Sequence, residues 1–212
     1  MLIIFSGLSG SGKTTIAREL ALQIGAVYLR IDSIEQALRE SSAAIQPLND
    51  AGYRVGYAIA EDNLRLGRSV IADSVNPIRL TREAWREVAK RSQVGALEIE
   101  VMCSDPSVHR RRVEGRVADI AGLKVPDWEQ VISREYHAWD YDHLVIDTAV
   151  LGIDESVSMI RERARRKPPG GWIGPSVILI TPLSDPLCLP YPVHRRKWTS
   201  YERKTDRTRD LG

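Results

Sequence analysis

Gly7-x-x-x-x-Gly12-Lys13-Thr14 stands directly behind the apolar run Leu2-Ile3-Ile4-Phe5. Glycines at 7, 10 and 12 allow a tight turn whose N–H groups converge on phosphate oxygens. The positive end of a following helix adds to that field. Within the stretch Gly7, Leu8, Ser9, Gly10, Ser11, Gly12, Lys13, Thr14 and Thr15, the Lys13 ammonium can reach the β- and γ-phosphates of a nucleoside triphosphate. The Thr14 hydroxyl can ligate Mg²⁺. ATP and Mg²⁺ are therefore the expected ligands.

Two carboxylates and a run of arginines extend this chemistry. Asp32 lies 19 residues beyond Lys13 and is expected to close the second strand at the same sheet edge. A carboxylate there can take the proton of an acceptor hydroxyl as it attacks the γ-phosphate. The competing reading, a helix cap, is weakened because Ser33-x-x-Gln36 already has the form of a capping box. Asp73 ends Val70-Ile71-Ala72-Asp73, where it can hold Mg²⁺ through water or orient the acceptor; the alternative is a turn residue before Ser74, Asn76 and Pro77. In Arg110-Arg111-Arg112-Val113-Glu114-Gly115-Arg116, Arg112 and Arg116 are expected on one helix face. Gly115 and the loosely patterned stretch to Val125 suggest a lid that delivers guanidinium groups to the transferring phosphoryl group. The plain alternative is a solvated charged face. Histidines 109, 137, 143 and 194 show no metal-ligand spacing, and Cys103 and Cys188 form no pairing pattern.

These residues need a scaffold, and the pattern supplies one. Ile16, Leu20 and Ile24 fall at helical spacing after the loop. Strands are expected at Ala26–Ile31, Ser69–Asp73, Ala96–Cys103 and His143–Asp147. Helices are expected at Ser33–Glu40, Gly52–Leu66 with Gly67 as its cap, Leu80–Arg91, Pro106–Gly115, Pro126–Trp139 and Ile153–Arg165. Such alternation implies an α/β domain with a parallel sheet, helices on both faces and ligands at the carboxyl ends of the strands. The 212 residues, 43% hydrophobic, suffice for one substantial core.

Charge divides the chain. From Arg161 onward there are 12 Lys/Arg against 5 Asp/Glu, while positions 1–160 hold 18 against 23. Seven of the 11 prolines lie at or beyond Pro168. We therefore expect a domain over 1–167 and a basic, Pro-rich extension over 168–212 that is poorly ordered. Within it, Val177–Thr181 has the form of an edge strand, and His194 to Arg209 interleave basic and aromatic residues. No basic leader or run of about 20 apolar residues is present, so a cytoplasmic protein without membrane contact, monomer or dimer, is expected.

From Leu2 to about Arg165 the chain resembles the small phosphate-loop kinases related to the phage-type polynucleotide 5′-hydroxyl kinase, a group that includes gluconate kinase, chloramphenicol phosphotransferase and zeta-toxin-like kinases. The resemblance is carried by Gly7–Thr15, Asp32, Val70 to Pro77, Arg112-x-x-x-Arg116 and Pro126. It implies a three-layer α/β/α P-loop fold with strand order 2-3-1-4-5 and a helical lid. It also implies Asp32 as general base, Asp73 near acceptor or metal, and Arg112 and Arg116 around ATP. One departure is Glu35, where the polynucleotide enzyme carries an arginine that helps hold a nucleic-acid phosphate. With a net acidic body, gripping a polyanion is disfavoured; Arg30, Arg39, Arg54 and Arg65 could supply local positive charge but read as surface residues. The expectation is a kinase acting on a hydroxyl of a small molecule. The alternatives are a polynucleotide 5′-hydroxyl kinase and, from another class, a nucleotide-operated ATPase or switch acting on a protein.

Overall fold

The computed structural model describes residues 1–41 and 48–166, all within one compact unit. The expectations for residues 168–212, including the strand at Val177–Thr181, the basic–aromatic tail and Cys188, lie outside the described residues. Strand β1 (Leu2–Ser6) is buried along its whole length, as a central parallel strand must be. Its side chains alternate between two cores. Ile3 and Phe5 pack with Ile16, Leu20, Val157 and Ile160, whereas Leu2 and Ile4 pack with Ala60, Leu64, Trp85 and Val88. The first group places α1 (Lys13–Ile24) and α7 (Ile153–Arg165) on one face. The second places α3 (Ala51–Arg65) and α4 (Arg79–Arg91) on the other.

The remaining elements are β2 (Val27–Arg30), α2 (Ile31–Glu40), β3 (Val70–Asp73), β4 (Ala96–Met102), α5 (Pro106–Glu114), α6 (Trp128–Ile132) and β5 (Leu144–Asp147). All pairs are parallel and the order is β2-β3-β1-β4-β5. This is the three-layer α/β/α arrangement with the strand order that the resemblance implies. Register sets the site: Phe5 lies level with Asp73, and Asp73 with Arg30. The chain leaves β1 at this carboxyl edge, where the strand connections diverge to either side, which is where ligands bind in such sheets.

Several local readings need correction. Ile24 is 38% exposed, one turn beyond the part of α1 that the sheet covers. The second strand stops at Arg30, so Asp32 does not close it but sits in the first turn of α2. That helix starts at Ile31 without a side-chain cap, so the Ser33–Gln36 box does not form; Gln36 instead donates to Glu40 at 2.7 Å. The expected helix Pro126–Trp139 is only five residues long, opened by a capping box between Asp127 and Gln130. Beyond it the chain packs its aromatic residues on α4: the Arg82 guanidinium stacks on Tyr136 and Trp139 at 4.9 and 4.0 Å, and Arg86 on Tyr141 at 3.9 Å. The stop of α3 is as expected, with Gly67 and Arg68 donating back to Leu64 and Asn63 at 3.0 and 3.1 Å.

Because the strands and both cores among the described residues are complete by Arg165, a chain ending after Lys167 should fold. Its cooperative thermal transition and ATP affinity should match those of the full chain. An insoluble or nucleotide-dead truncation would show that the extension belongs to the core.

Candidate active site

The loop after β1 is shaped by close approach. Gly7 has φ +139°, and a Cβ there would lie 2.1 Å from the Val101 carbonyl oxygen. Gly10 has φ +80°, with a hypothetical Cβ 2.5 Å from Val113. Only glycine meets both demands. The entry to the loop is held by Gly7 N–H donating to Val75 at 3.1 Å and by the buried Asn76 amide donating to the Phe5 carbonyl at 3.0 Å.

Lys13 lies at the start of α1 and is 7% exposed, with its ammonium 3.4 Å from the Leu8 carbonyl. Burial pushes its pKa down, and the carboxylates of Asp73 and then Asp32 oppose that shift. Asp73 is 2% exposed and accepts from the Tyr28 hydroxyl at 2.7 Å. Burial and the Asp73 charge drive the Tyr28 phenol far up, so it remains a donor. The second Asp73 oxygen, Oδ1, is buried with no protein partner.

A cavity of about 480 Å³ opens over the loop, lined by Gly10, Gly12, Lys13, Thr14 and Thr15 on one side and by Arg112, Arg116 and Thr148 on the other. Arg112 donates to the Thr148 hydroxyl and carbonyl at 2.7 and 3.0 Å. Arg116 donates to the Ser9 hydroxyl at 2.8 Å. The two arginines do not share a helix face, since α5 ends at Glu114; the turn beyond it still brings both to the loop. Arg110 pairs with Glu114 at 2.7 Å and stays on the surface.

A second cavity, of about 560 Å³, shares Lys13 and Arg116 with the first and is otherwise walled by Ser9, Val75, α2, the strap over residues 115–127, and Gln130 and Arg134. Asp32 lines it, as do Glu35, Gln36, Arg39, Lys124 and Arg134. Asp73 lines neither cavity. The structure thus separates the two carboxylates: Asp32 faces the open space, and Asp73 lies buried behind Lys13.

Sequence reading missed the strap's anchor. Arg30, read as a surface residue, is 4% exposed and donates twice to Asp119, at 2.8 and 3.0 Å. Arg18 donates to the same carboxylate at 2.6 Å, and Asp32 lies 3.7 Å from Arg30. Nothing local marks these residues, because the partners are 89 and 101 positions apart. The Arg30 bonds, reinforced by Arg18, hold the Asp119 carboxyl well below the usual carboxylate range. A carboxylate depressed in the fold stabilises it above its unfolded pKa of about 4 and loses that contribution as acid titrates the folded form. The anchor should therefore persist throughout neutral and mildly acidic solution. Asp119→Ala should raise tryptic cleavage at Arg116 and Lys124 at pH 8 by roughly two- to fivefold, the range for a half-exposed ion pair. Unchanged cleavage would show that the strap is held by other contacts.

Of the two residues expected to serve Mg²⁺, Thr14 lines a cavity and Asp73 lies buried outside both. Thr14 offers a hydroxyl in the loop cavity, and the orphaned Asp73 Oδ1 is an unspent anionic oxygen beside Lys13. Such an ion would neutralise charge between the β- and γ-phosphates. Among the described residues no group of three or more His, Cys, Asp or Glu side chains could hold a metal.

Fold and site together define a P-loop kinase, an ATP-dependent phosphotransferase. The chain belongs to the AAA domain family, whose model matches residues 2–130. It is 27% identical over 177 residues to an adenylyl-sulfate kinase of Synechococcus sp. (strain JA-3-3Ab), covering 76% of this chain and 92% of that one. Among solved structures, the Mycobacterium tuberculosis APS kinase CysC in complex with AMPPNP and APS superposes with a TM-score of 0.56 at 19% identity, covering 76% of this chain and 95% of the other. A gluconokinase from Sinorhizobium meliloti 1021 gives 0.51 at 19%, covering 76% and 94%. These two likenesses concern the fold. No helix among the described residues is long and apolar enough to cross a membrane.

Proposed function

We propose that the chain transfers the γ-phosphoryl group of ATP to a hydroxyl of a small acceptor that also bears an anionic group. The observation that carries this reading is the pair of cavities meeting at Lys13, one over the phosphate loop and one containing Asp32. In the first, backbone N–H groups, Lys13 and Thr14 hold the triphosphate, while Arg112 and Arg116 come from the lid side to stabilise charge on the transferring group. In the second, Asp32 takes the hydroxyl proton as the acceptor oxygen bonds to the γ-phosphorus and the bond to the β-bridging oxygen breaks, releasing ADP.

Charge supports the anionic acceptor. The second cavity is lined by Lys13, Arg39, Arg116, Lys124 and Arg134 against Asp32 and Glu35. Glu35, which replaces the arginine of the polynucleotide enzyme, is bound to Arg39 at 3.0 Å. That leaves Lys124 and Arg134 facing the space. The relatives named as adenylyl-sulfate kinases and a gluconokinase agree with a small acceptor.

The test is transfer of labelled γ-phosphate to a panel of sugars, sugar acids, nucleotides, neutral alcohols and 5′-hydroxyl oligonucleotides. Turnover should stay near background without acceptor and rise with hydroxylated small anions. Transfer only to oligonucleotides would make this a polynucleotide kinase. Full turnover with water alone would overturn the kinase reading in favour of an ATPase.

A further inference from the structure

His109 lines neither cavity, yet it touches Gly10, which lines the first, and Ser9, which lines the second. It lies on α5, whose start is fixed by Pro106 and by Asp105 accepting from the N–H groups of Ser107 and Val108 at 2.8 and 3.1 Å. His109 and Val113, one turn apart, form the face of α5 that lies against Gly10. The hypothetical Gly10 Cβ would meet Val113 at 2.5 Å and the His109 ring at 3.2 Å. The residue is 9% exposed, and its Nε2 lies 2.7 Å from the Ser9 carbonyl oxygen. A carbonyl can only accept, so Nε2 carries the proton.

This bond has a consequence across the peptide plane. In a trans peptide the carbonyl of Ser9 and the N–H of Gly10 point in opposite directions. Tying the carbonyl to α5 therefore turns the Gly10 N–H away from α5, and Gly10 lines the donor cavity. The Ser11 carbonyl is treated alike, accepting from the Thr148 hydroxyl at 2.8 Å, which orients the N–H of Gly12. On its other side the His109 ring meets Trp128 edge-on, with centroids 5.3 Å apart at 89°. Trp128 opens α6, whose Gln130 lines the acceptor cavity.

We propose that His109 is a positioning residue for phosphoryl transfer: its Nε2–H holds the Ser9 carbonyl outward, aims the Gly10 N–H at the donor phosphates, and braces that loop against the wall of the acceptor cavity. The inference rests on the donor-site assignment above. It is separable from that assignment because it concerns a residue that need not touch ATP.

The test uses the full chain, ATP with Mg²⁺, and three variants. His109→Gln places an amide N–H close to where Nε2 stands, His109→Asn has the same chemistry but is too short, and His109→Leu fills the volume without a donor. Calorimetric ATP affinity and the amide resonance of residue 10 are read on each, with the thermal midpoint as control for folding. Leu and Asn should weaken ATP by about 3- to 10-fold, the worth of one such hydrogen bond, and shift the resonance. Gln should stay within about 2-fold of wild type. Should Leu fail to fold, the Gln–Asn pair decides. Equal affinities for Gln and Asn would overturn the positioning role while leaving the nucleotide site intact. Failure of the wild type to bind ATP would overturn both.

Discussion

Lys13→Ala should cut phosphoryl transfer by roughly 10²–10³-fold, the scale set by loss of one preorganised charge-stabilising donor. Lys13, like Arg116, lines both cavities, and it is the cation within the loop sequence Gly7–Thr15 itself, so nothing else on the loop replaces it. The fold should survive. Asp73 keeps its bond from Tyr28, and the loop keeps its ties through Val75, Asn76, His109 and Thr148. Initial rates, ATP binding and far-UV circular dichroism on one preparation make the check. Wild-type transfer by a folded Lys13→Ala protein would remove the phosphate-loop assignment.

For Asp32→Asn we expect transfer to fall by roughly 10²–10⁴-fold, the usual contribution of a general base, with ATP affinity little changed. Asparagine keeps the shape of the side chain but cannot take a proton. Stability should drop modestly. Asp32 lies in the first turn of α2, where no side chain caps the helix, so its charge is the acidic complement to the helix terminus, worth about 0.3–1 kcal/mol. It also faces Arg30 at 3.7 Å. A small loss of thermal stability with full activity would assign Asp32 to the helix alone. Asp73, buried and occupied by Tyr28, would then need a water to reach any acceptor.

The two substitutions read different depths of the same sequence. Lys13 was legible because the motif that carries it is contiguous: a strand, a glycine-rich turn and a helix, each with its own local signature. Asp32 was legible as a carboxylate near the sheet edge but misplaced in detail. The pattern put it at a strand end with a capping box behind it, whereas the chain turns into a helix at Ile31, immediately after Arg30. The buried Arg30 side chain belongs to the strap's anchor rather than to the surface. The helix expected to run to Trp139 failed for a related reason. Its pattern runs to Trp139, whereas α6 ends at Ile132 and Tyr136 and Trp139 lie against Arg82 of α4, far away in sequence.

By itself the sequence determined the phosphate loop, the alternation of strands and helices and the carboxylates available at the sheet edge. Those features depend on backbone geometry and periodicity within a dozen residues. Only the tertiary structure decided that Arg30 and Arg18 meet at Asp119, that His109 reaches Ser9, that Thr148 joins Arg112 to the loop, and that Asp32 rather than Asp73 faces open space. Each of those contacts joins segments brought to one edge by the strand order. A polar partner 100 residues away leaves no periodic trace in the chain, because what selects it is the position of its strand or helix in the sheet and not its neighbours in sequence.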